Sequence, residues 1–172
     1  MWGALEKGHM DMGWVARIGD GGDQVAMAIR IGGKSAGPSG FSRTGIEEFT
    51  WDVLTGKELK LPFSCFGTVP VDIDGDGIHK LVRHTEEEGT VLIDRTGKVI
   101  DPINGKPALV GHFLNHDGEQ ILSSTPGGVI TAWVDASAHD LEKSKQRYIH
   151  PFYRANIKLN ATGYNRINLG GL

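Results

Sequence analysis

Three aspartates alternate along the segment VDIDGDGIHK, at Asp72, Asp74 and Asp76. Carboxylates at alternate positions, with glycine nearby, can wrap oxygens around calcium, which takes about 6 to 8 oxygen ligands. An EF-hand loop would need a glutamate at its twelfth position, and Arg83 occupies that position here. The segment is therefore either a calcium loop of another kind or a turn whose aspartates cap local backbone amides.

Lys80 bears directly on this choice. Some calcium loops of another kind close with a carboxylate near their ninth position, which is Lys80 when counted from Asp72. The ammonium group of Lys80 would repel a metal ion or bridge the aspartates in its place. The two interpretations merge if backbone carbonyls and water supply the missing ligands.

The bulk composition argues against several kinds of partner. The 172 residues carry a net charge of −3, so a polyanionic partner such as nucleic acid is not expected. No stretch approaches the roughly 20 apolar residues that span a bilayer, so we expect no membrane insertion. The single cysteine, Cys65, excludes an internal disulfide framework, and its aromatic neighbours favour buried packing. The N-terminus lacks the basic start and apolar core of a signal peptide.

Short strands separated by glycine turns are the dominant pattern. The 25 glycines are about twice the usual share, and most of them punctuate short alternating segments. Apolar residues occupy alternate positions in 25–31 and 49–53, which is the period of a half-buried strand. Helical character is confined to 138–147. Further strands are predicted at 80–84, 90–94, 109–114, 119–123 and 129–134.

The strands and turns recur with a fixed period. The tripeptide TGK at 55–57 returns 41 positions later at 96–98, and the dipeptide DG at 76–77 returns 41 positions later at 117–118. A period of about 40 to 45 residues with four short strands is typical of a β-propeller blade. Such a blade cannot bury both of its faces alone, so blades stack around an axis. A meander or a sandwich with similar turns is the alternative.

These observations predict an all-β chain built from blades of four antiparallel strands. The blades fall at about 1–59, 60–106 and 107–148, and the tail 149–172 could donate a closing strand. β-Propellers typically carry about four to eight blades. The chain 1–172 is therefore expected to form a partial β-propeller, whose ring is completed by missing blades or by another chain.

The order of the motifs resembles the catalytic β-propeller of rhamnogalacturonan lyases, secreted enzymes of polysaccharide lyase family 11 that cut pectin backbones. The resemblance rests on GHMDMGWVARIGDGGDQVAM, VDIDGDGIHKLV and NGKPALVGHFLNHDGEQIL, and on the tail residues 152–154 and 163–165. It implies a polysaccharide substrate, calcium and an extracellular location. The chain departs from the family pattern where Gln24, Lys80 and Gln120 replace glutamate.

The resemblance also implies a base and a charge-neutralising group for β-elimination. Lys106 would remove the proton beside the uronate carboxylate, because a lysine buried away from solvent can serve as a base. Arg83, or Arg43 from the segment 32–45, would neutralise that carboxylate. The alternative is that Lys106 is an ordinary solvated lysine in the loop 104–107.

Four further residues take roles from the same resemblance. His9 and Asp11 would help the three aspartates hold calcium or would contact the sugar acid. Asn104 and Tyr164 would contact the substrate. The alternative for His9 is a surface or packing role, which is common for a histidine near the start of a chain.

Two functions therefore remain open. The first is a calcium-assisted polysaccharide lyase of the rhamnogalacturonan lyase type. The second is a non-catalytic FG-GAP-like propeller module that binds carbohydrate or protein, which the missing acids at Gln24, Lys80 and Gln120 favour. Tryptophans could stack on sugars in either case, although Trp51 and Trp133 are expected in the core between blades.

Overall fold

The computed structural model describes residue 3 and residues 9–37, 40–161 and 167–168. Over these residues the chain is mostly β, with antiparallel sheets and two helices. The all-β prediction is confirmed at this level. The described helices have 8 and 11 residues, and neither has the length and apolar character that a bilayer crossing requires.

The described strands fall into three sheets, which we name A, B and C. Sheet A contains β1 (Met10–Arg17), β2 (Gln24–Gly37), β3 (Gly40–Asp52) and β11 (Ile167–Asn168), which is parallel to β1. Sheet B contains β4 (Thr68–Val71), β5 (Lys80–Thr85), β6 (Gly89–Ile93) and β7 (Val99–Ile103). Sheet C contains β8 (Lys106–Gly111), β9 (Gln120–Ser124) and β10 (Ile130–Trp133). The helices are α1 (Glu142–Ile149) and α2 (Pro151–Ala161).

Alternation with period two decides which face of a strand is buried. In β2, Val25, Met27 and Ile29 are buried, while the residues between them are half-buried. Apolar residues at alternate positions form one continuous face because successive side chains of a strand point to opposite sides. This face contributes to a core shared by sheets A and B. The same core contains Cys65, and burial raises the pKa of its thiol to about 12.

One turn follows the third strand along the chain in every sheet. It begins at Asp52, the last residue of β3, at Asp94 after β6 and at Asp135 after β10. In each turn the aspartate Oδ1 accepts hydrogen bonds from the backbone N–H and the hydroxyl of a nearby Thr or Ser. These bonds lower the pKa of all three carboxyl groups. The spacing of 42 and then 41 positions agrees with the predicted repeat.

The chain that follows this turn differs between the sheets. In sheet B it forms the fourth strand, β7, whereas in sheet A it makes a single bridge between Trp51 and Glu58. Beyond Asp135 the chain enters α1 and α2, so the described part of sheet C has three strands. The helical stretch predicted at 138–147 overlaps α1. The tail 149–172, expected to supply a strand, contains α2 as well as β11.

Sheet B lies between sheets A and C, because β4 packs against β1 on one side and β8 on the other. At the first interface the indole Nε1 of Trp14 donates a hydrogen bond of 3.0 Å to Thr68 Oγ1. At the second interface Val71, Val82 and Ile121 form a buried apolar core. Because sheets B and C pack face to face, the loops of both sheets gather at the same two ends of their strands.

These two ends carry different loops. The loops 72–79 and 112–119 meet at one end, which we call the acidic end, and a backbone hydrogen bond from the Glu119 N–H to the Asp72 carbonyl joins them. The segments 84–90 and 103–106 meet at the other end, which we call the groove end, and a side-chain-to-backbone hydrogen bond joins them. All candidate chemistry in sheets B and C is distributed between these ends.

Candidate functional site

The three aspartates converge at the acidic end. One carboxylate oxygen from each of Asp72, Asp74 and Asp76 lies within 4.8 Å of the others. Gly75 and Gly77 allow the chain to turn so tightly, because both adopt a positive φ, of 76° and 78°, that glycine tolerates without strain. This cluster could bind a metal ion, since hard cations prefer oxygen ligands from several carboxylates.

Asp72 is already surrounded by protein donors. Its side chain is fully buried, and both of its oxygens accept the Gly77 N–H, at 3.1 and 3.0 Å. Its Oδ2 also accepts hydrogen bonds from Ser144 Oγ at 2.8 Å and from Arg147 Nη2 at 2.7 Å. A guanidinium group therefore balances the charge of Asp72 inside the protein.

Lys80 occupies the position where a closing carboxylate would stand. Its Nζ forms an ion pair with Asp74 Oδ2, which is the bridging alternative considered for this lysine. Asp76 Oδ1 accepts the Ile78 N–H at 2.7 Å, as a capped turn requires. Asp74 Oδ1 is buried and has no hydrogen-bond partner among the described residues. The loop is thus a self-capped turn that retains one buried oxygen for a cation.

Arg147 connects buried carboxylates of two loops. Its Nη2 lies 2.7 Å from Asp72 Oδ2 and 3.5 Å from Glu119 Oε1. Burial lowers the pKa of Arg147, but Glu119 and Asp72 outweigh this effect and hold its pKa above the usual value. Burial raises the pKa of Glu119, whose Oε1 accepts the Tyr153 hydroxyl at 2.8 Å. Such a buried ionic group is stable only while each charge keeps its partner.

Asp140, which lies beyond sheet C in the chain, binds the second loop, 112–119, much as Asp72 binds its own loop. Its Oδ1 accepts the Gly118 N–H at 2.9 Å and the Tyr148 hydroxyl at 3.0 Å. Burial raises the pKa of the Tyr148 hydroxyl. The helix α1 is therefore connected to the acidic end through Ser144 and Tyr148 as well as through Arg147.

His9 and Asp11 lie away from the three aspartates. The hydrogen bond with Lys34 lowers the pKa of Asp11, and His9 Nε2 lies 3.9 Å from Asp11 Oδ1. The part of β1 that contacts the loop 72–79 is its other end, where the Arg17 N–H bonds to a histidine ring. Six residues of strand, or about 20 Å, separate Arg17 from Asp11. The structure does not bring His9 and Asp11 into the predicted calcium site.

Two residues predicted to contact substrate or act on it meet at the groove end. Asn104 and Lys106 line a groove of about 660 Å³ together with Trp133. The Trp133 Nε1 donates to Ser123 Oγ at 2.8 Å, and Ser123 Oγ donates to the Asn104 carbonyl at 2.6 Å. The indole also packs against the core between sheets B and C. These contacts hold Trp133 beside Asn104 while part of the ring remains accessible.

The charged residues of the groove end are paired with carboxylates. Lys106 has a side chain that is 64% exposed, and its Nζ lies 3.5 Å from Glu86 Oε1. Arg83 is more buried and forms an ion pair of 2.8 Å with Glu88, which also lines the groove. The predicted base is therefore open to solvent, and the predicted charge-neutralising group is already paired with a carboxylate.

The structure separates the predicted base from the predicted metal ligands. β8 runs from Lys106 at the groove end to Gly111, immediately before the loop 112–119 of the acidic end. Five residues of strand correspond to about 17 Å. Lys106 and the three aspartates therefore stand at opposite ends of the sheets. Tyr164 lies outside the described residues.

Sequence patterns do not single out the residues that close the acidic end. Arg147 is 75 positions from Asp72, and Tyr153 is 34 positions from Glu119. One local feature points to a residue of this group: Glu119 directly follows the second DG motif. Contacts over such distances depend on how the helices fold back, which neither periodicity nor motif spacing reveals.

Comparison of the chain with protein-family models, curated proteins and solved structures finds no match. The resemblance to rhamnogalacturonan lyases therefore stays a prediction from short motifs. The geometry of the two ends is what bears on function.

Proposed function

We propose that this chain is a non-catalytic, carbohydrate-binding module of the β-propeller type, and that it binds a polysaccharide at the groove end. The observation that carries the proposal is the meeting of Trp133, Asn104 and Lys106 in one groove. An indole offers an apolar face for a sugar ring, and the amide and ammonium groups offer hydrogen bonds to hydroxyl or carboxylate oxygens. The volume, about 660 Å³, suits a ligand of one or a few sugar units.

The proposal extends to the architecture and the location. The repeated aspartate turn and the packing of β4 between β1 and β8 support blades arranged about an axis. Further blades or a second chain would complete such a ring. An extracellular location follows from the polysaccharide ligand and the resemblance.

A calcium ion at the acidic end is the cofactor in this proposal. Asp74 Oδ1 and the second oxygen of Asp76 would hold it, with carbonyls and water completing its shell. Lys80 and Arg147 already balance two of the three aspartates, so little negative charge remains to attract the ion. We expect weak binding, with a dissociation constant of roughly 10⁻⁴ to 10⁻³ M. The ion would support the loop 72–79 and would not reach the groove.

Titration with rhamnogalacturonan oligosaccharides, followed by calorimetry, tests the carbohydrate proposal. Asn104→Ala and Lys106→Ala are each expected to weaken binding about tenfold, because each removes a hydrogen-bonding group worth about 1.5 kcal/mol. Lys98→Ala, in the turn between β6 and β7 and outside the lining of the groove, serves as the matched control and should bind normally. Absence of heat with the unchanged protein, or equal binding by all variants, would rule the groove out.

The polysaccharide lyase is the second candidate, because Lys106 and Asn104 lie in the same groove as the resemblance requires. The open position of Lys106 and the ion pair between Arg83 and Glu88 favour binding over catalysis. Elimination creates an unsaturated uronate that absorbs ultraviolet light. Growth of this absorbance, lost in Lys106→Ala, would replace the binding proposal with the lyase.

A further inference from the structure

A second cavity lies at the acidic end, between the helices and the loop 112–119. It has a volume of about 570 Å³, within the range of small-ligand sites. Its lining includes residues of α1 and α2 as well as residues of this loop. The length of β8 separates the cavity from the carbohydrate groove, so the two could be occupied independently.

Three cations line this cavity without a carboxylate partner. They are Lys145 on α1 and Arg154 and Lys158 on α2. Within the described part of the chain, none of the three forms an ion pair. Arg154 and Lys158 are four positions apart, so they occupy one face of α2 and repel each other. The whole chain has a net charge of −3, and this cationic cluster is therefore a local feature.

The acids of the same cavity are already used. Asp140 accepts hydrogen bonds from Gly118 and Tyr148. Asp117 Oδ2 accepts the Asp140 N–H at 3.3 Å and lies 3.5 Å from His139 Nδ1. Within the described residues the lining therefore holds three cations without a carboxylate partner against two aspartates, so the cavity presents a net positive charge to a ligand.

A rigid aromatic wall stands in the same cavity. The imidazole of His112 stacks on the Tyr148 ring, with 4.1 Å between centroids and 19° between planes. Tyr153 accepts the His112 N–H at 2.7 Å and donates to Glu119. Both tyrosine hydroxyls are thus fixed by buried carboxylates, so the rings are held in place before any ligand arrives.

We propose that this cavity binds a small anionic ligand with one oxyanion group, a phosphate or a carboxylate, attached to a ring. Arg154, Lys145 and Lys158 would bind the oxyanion, and the ring would lie against the His112–Tyr148 pair. The Nε of Arg154 donates to the Tyr148 carbonyl at 3.3 Å, which orients the guanidinium and leaves its terminal N–H groups for the ligand. This site does not depend on the carbohydrate groove.

Nuclear magnetic resonance titration of the whole chain tests the site with three probes: inorganic phosphate, glucose 6-phosphate and glucuronate. The backbone signals of His112 and Tyr148 are expected to shift and saturate. The double variant Arg154→Gln/Lys158→Gln should bind at least ten times more weakly. The matched control Lys57→Gln/Lys98→Gln loses the same charge in the turns that follow β3 and β6, and it should bind as the unchanged protein does.

The probes distinguish the two sources of the oxyanion. Tighter binding of glucose 6-phosphate than of glucuronate assigns a phosphate ester, and the reverse order assigns a sugar acid. Shifts that do not saturate with any probe, or that saturate at the same probe concentration in the Arg154→Gln/Lys158→Gln variant as in the unchanged protein, would overturn the proposal. If the groove lined by Asn104 and Lys106 binds no polysaccharide, the outcome of this titration is unaffected. The two proposals can therefore fail separately.

Discussion

The loops 72–79 and 112–119 are two copies of one turn, in which Gly77 and Gly118 each donate a backbone N–H to a buried aspartate. In the first copy the aspartate belongs to the same loop. In the second copy it is Asp140, which lies beyond sheet C in the chain. A common motif therefore produces the turn, while the acceptor comes from different places.

The groups that close the two loops differ even more. The first loop is closed by charge, through Lys80 and Arg147. The second is reached by Arg147 only at 3.5 Å, through Glu119, and is closed by the neutral amide of Gln120, which bonds four backbone groups of the loop 112–119. The difference teaches that the DG motif specifies backbone shape, whereas dependence on charge or metal is set by the residue that closes the loop.

The largest effect is expected from removing the buried cation. Arg147→Met leaves Asp72 and Glu119 buried without a counter-charge, which should lower the free energy of unfolding by about 3 to 5 kcal/mol. Urea unfolding followed by circular dichroism measures this loss.

Two variants make the result specific. Lys145→Met, an exposed neighbour on α1, removes the same charge and should change stability by less than about 0.5 kcal/mol. Adding Asp72→Asn to Arg147→Met should recover part of the loss, because one unpaired charge disappears. Equal losses for Arg147→Met and Lys145→Met would contradict the ionic account of the first loop.

An intermediate effect is expected from turning the first loop into a complete calcium site. Lys80→Glu places a fourth carboxylate at the loop and removes the competing ammonium group, so calcium affinity should rise. At a calcium concentration of 100 times the dissociation constant, binding adds about 2.7 kcal/mol to stability. Thermal melts with calcium and with chelator measure the difference. Lys57→Glu is the matched control, and a calcium response no larger than that control's would show that the loop does not accept the ion.

The smallest effect is expected in the second loop, 112–119. Gln120→Ala leaves backbone groups of this loop without partners, which should cost about 1 to 2 kcal/mol. Calcium should not change this loss, in contrast to the first loop. The urea series gives the magnitude, with Gln146→Ala as an exposed glutamine control. A calcium-dependent loss would mean that the two loops are coupled.

Much of the sheet structure was predictable from period two. The apolar alternation at 25–31 matches the buried face of β2. The strands predicted at 80–84 and 90–94 match β5 and β6, whose consecutive apolar residues face one core on each side of sheet B. The segment 32–45 was not among the predicted strands, yet it extends β2 and β3 into a long hairpin with exposed residues. The sequence did not indicate this pairing, because glycine and serine residues give no alternation of apolar and polar side chains.

The acidic cluster was predictable from local spacing, but the cations that pair with it were not. Asp72, Asp74 and Asp76 meet because their spacing within one turn brings them together. Arg147 reaches them only because α1 packs against the end of the sheets. The sequence could not show that Lys106 is far from the aspartates. That distance follows from the direction of β8, which begins at Lys106 and ends at Gly111, next to the acidic end.

The link between Arg147, Asp72 and Glu119 also limits how far this chain can be divided. In repeat proteins each unit contacts its neighbours alone, so a terminal unit can be removed with modest loss to the others. Here a truncation before α1 would leave sheets B and C with two buried carboxylates and no cation. Sheets B and C and the two helices are therefore expected to fold and unfold as one unit, although the repeats suggest separable units.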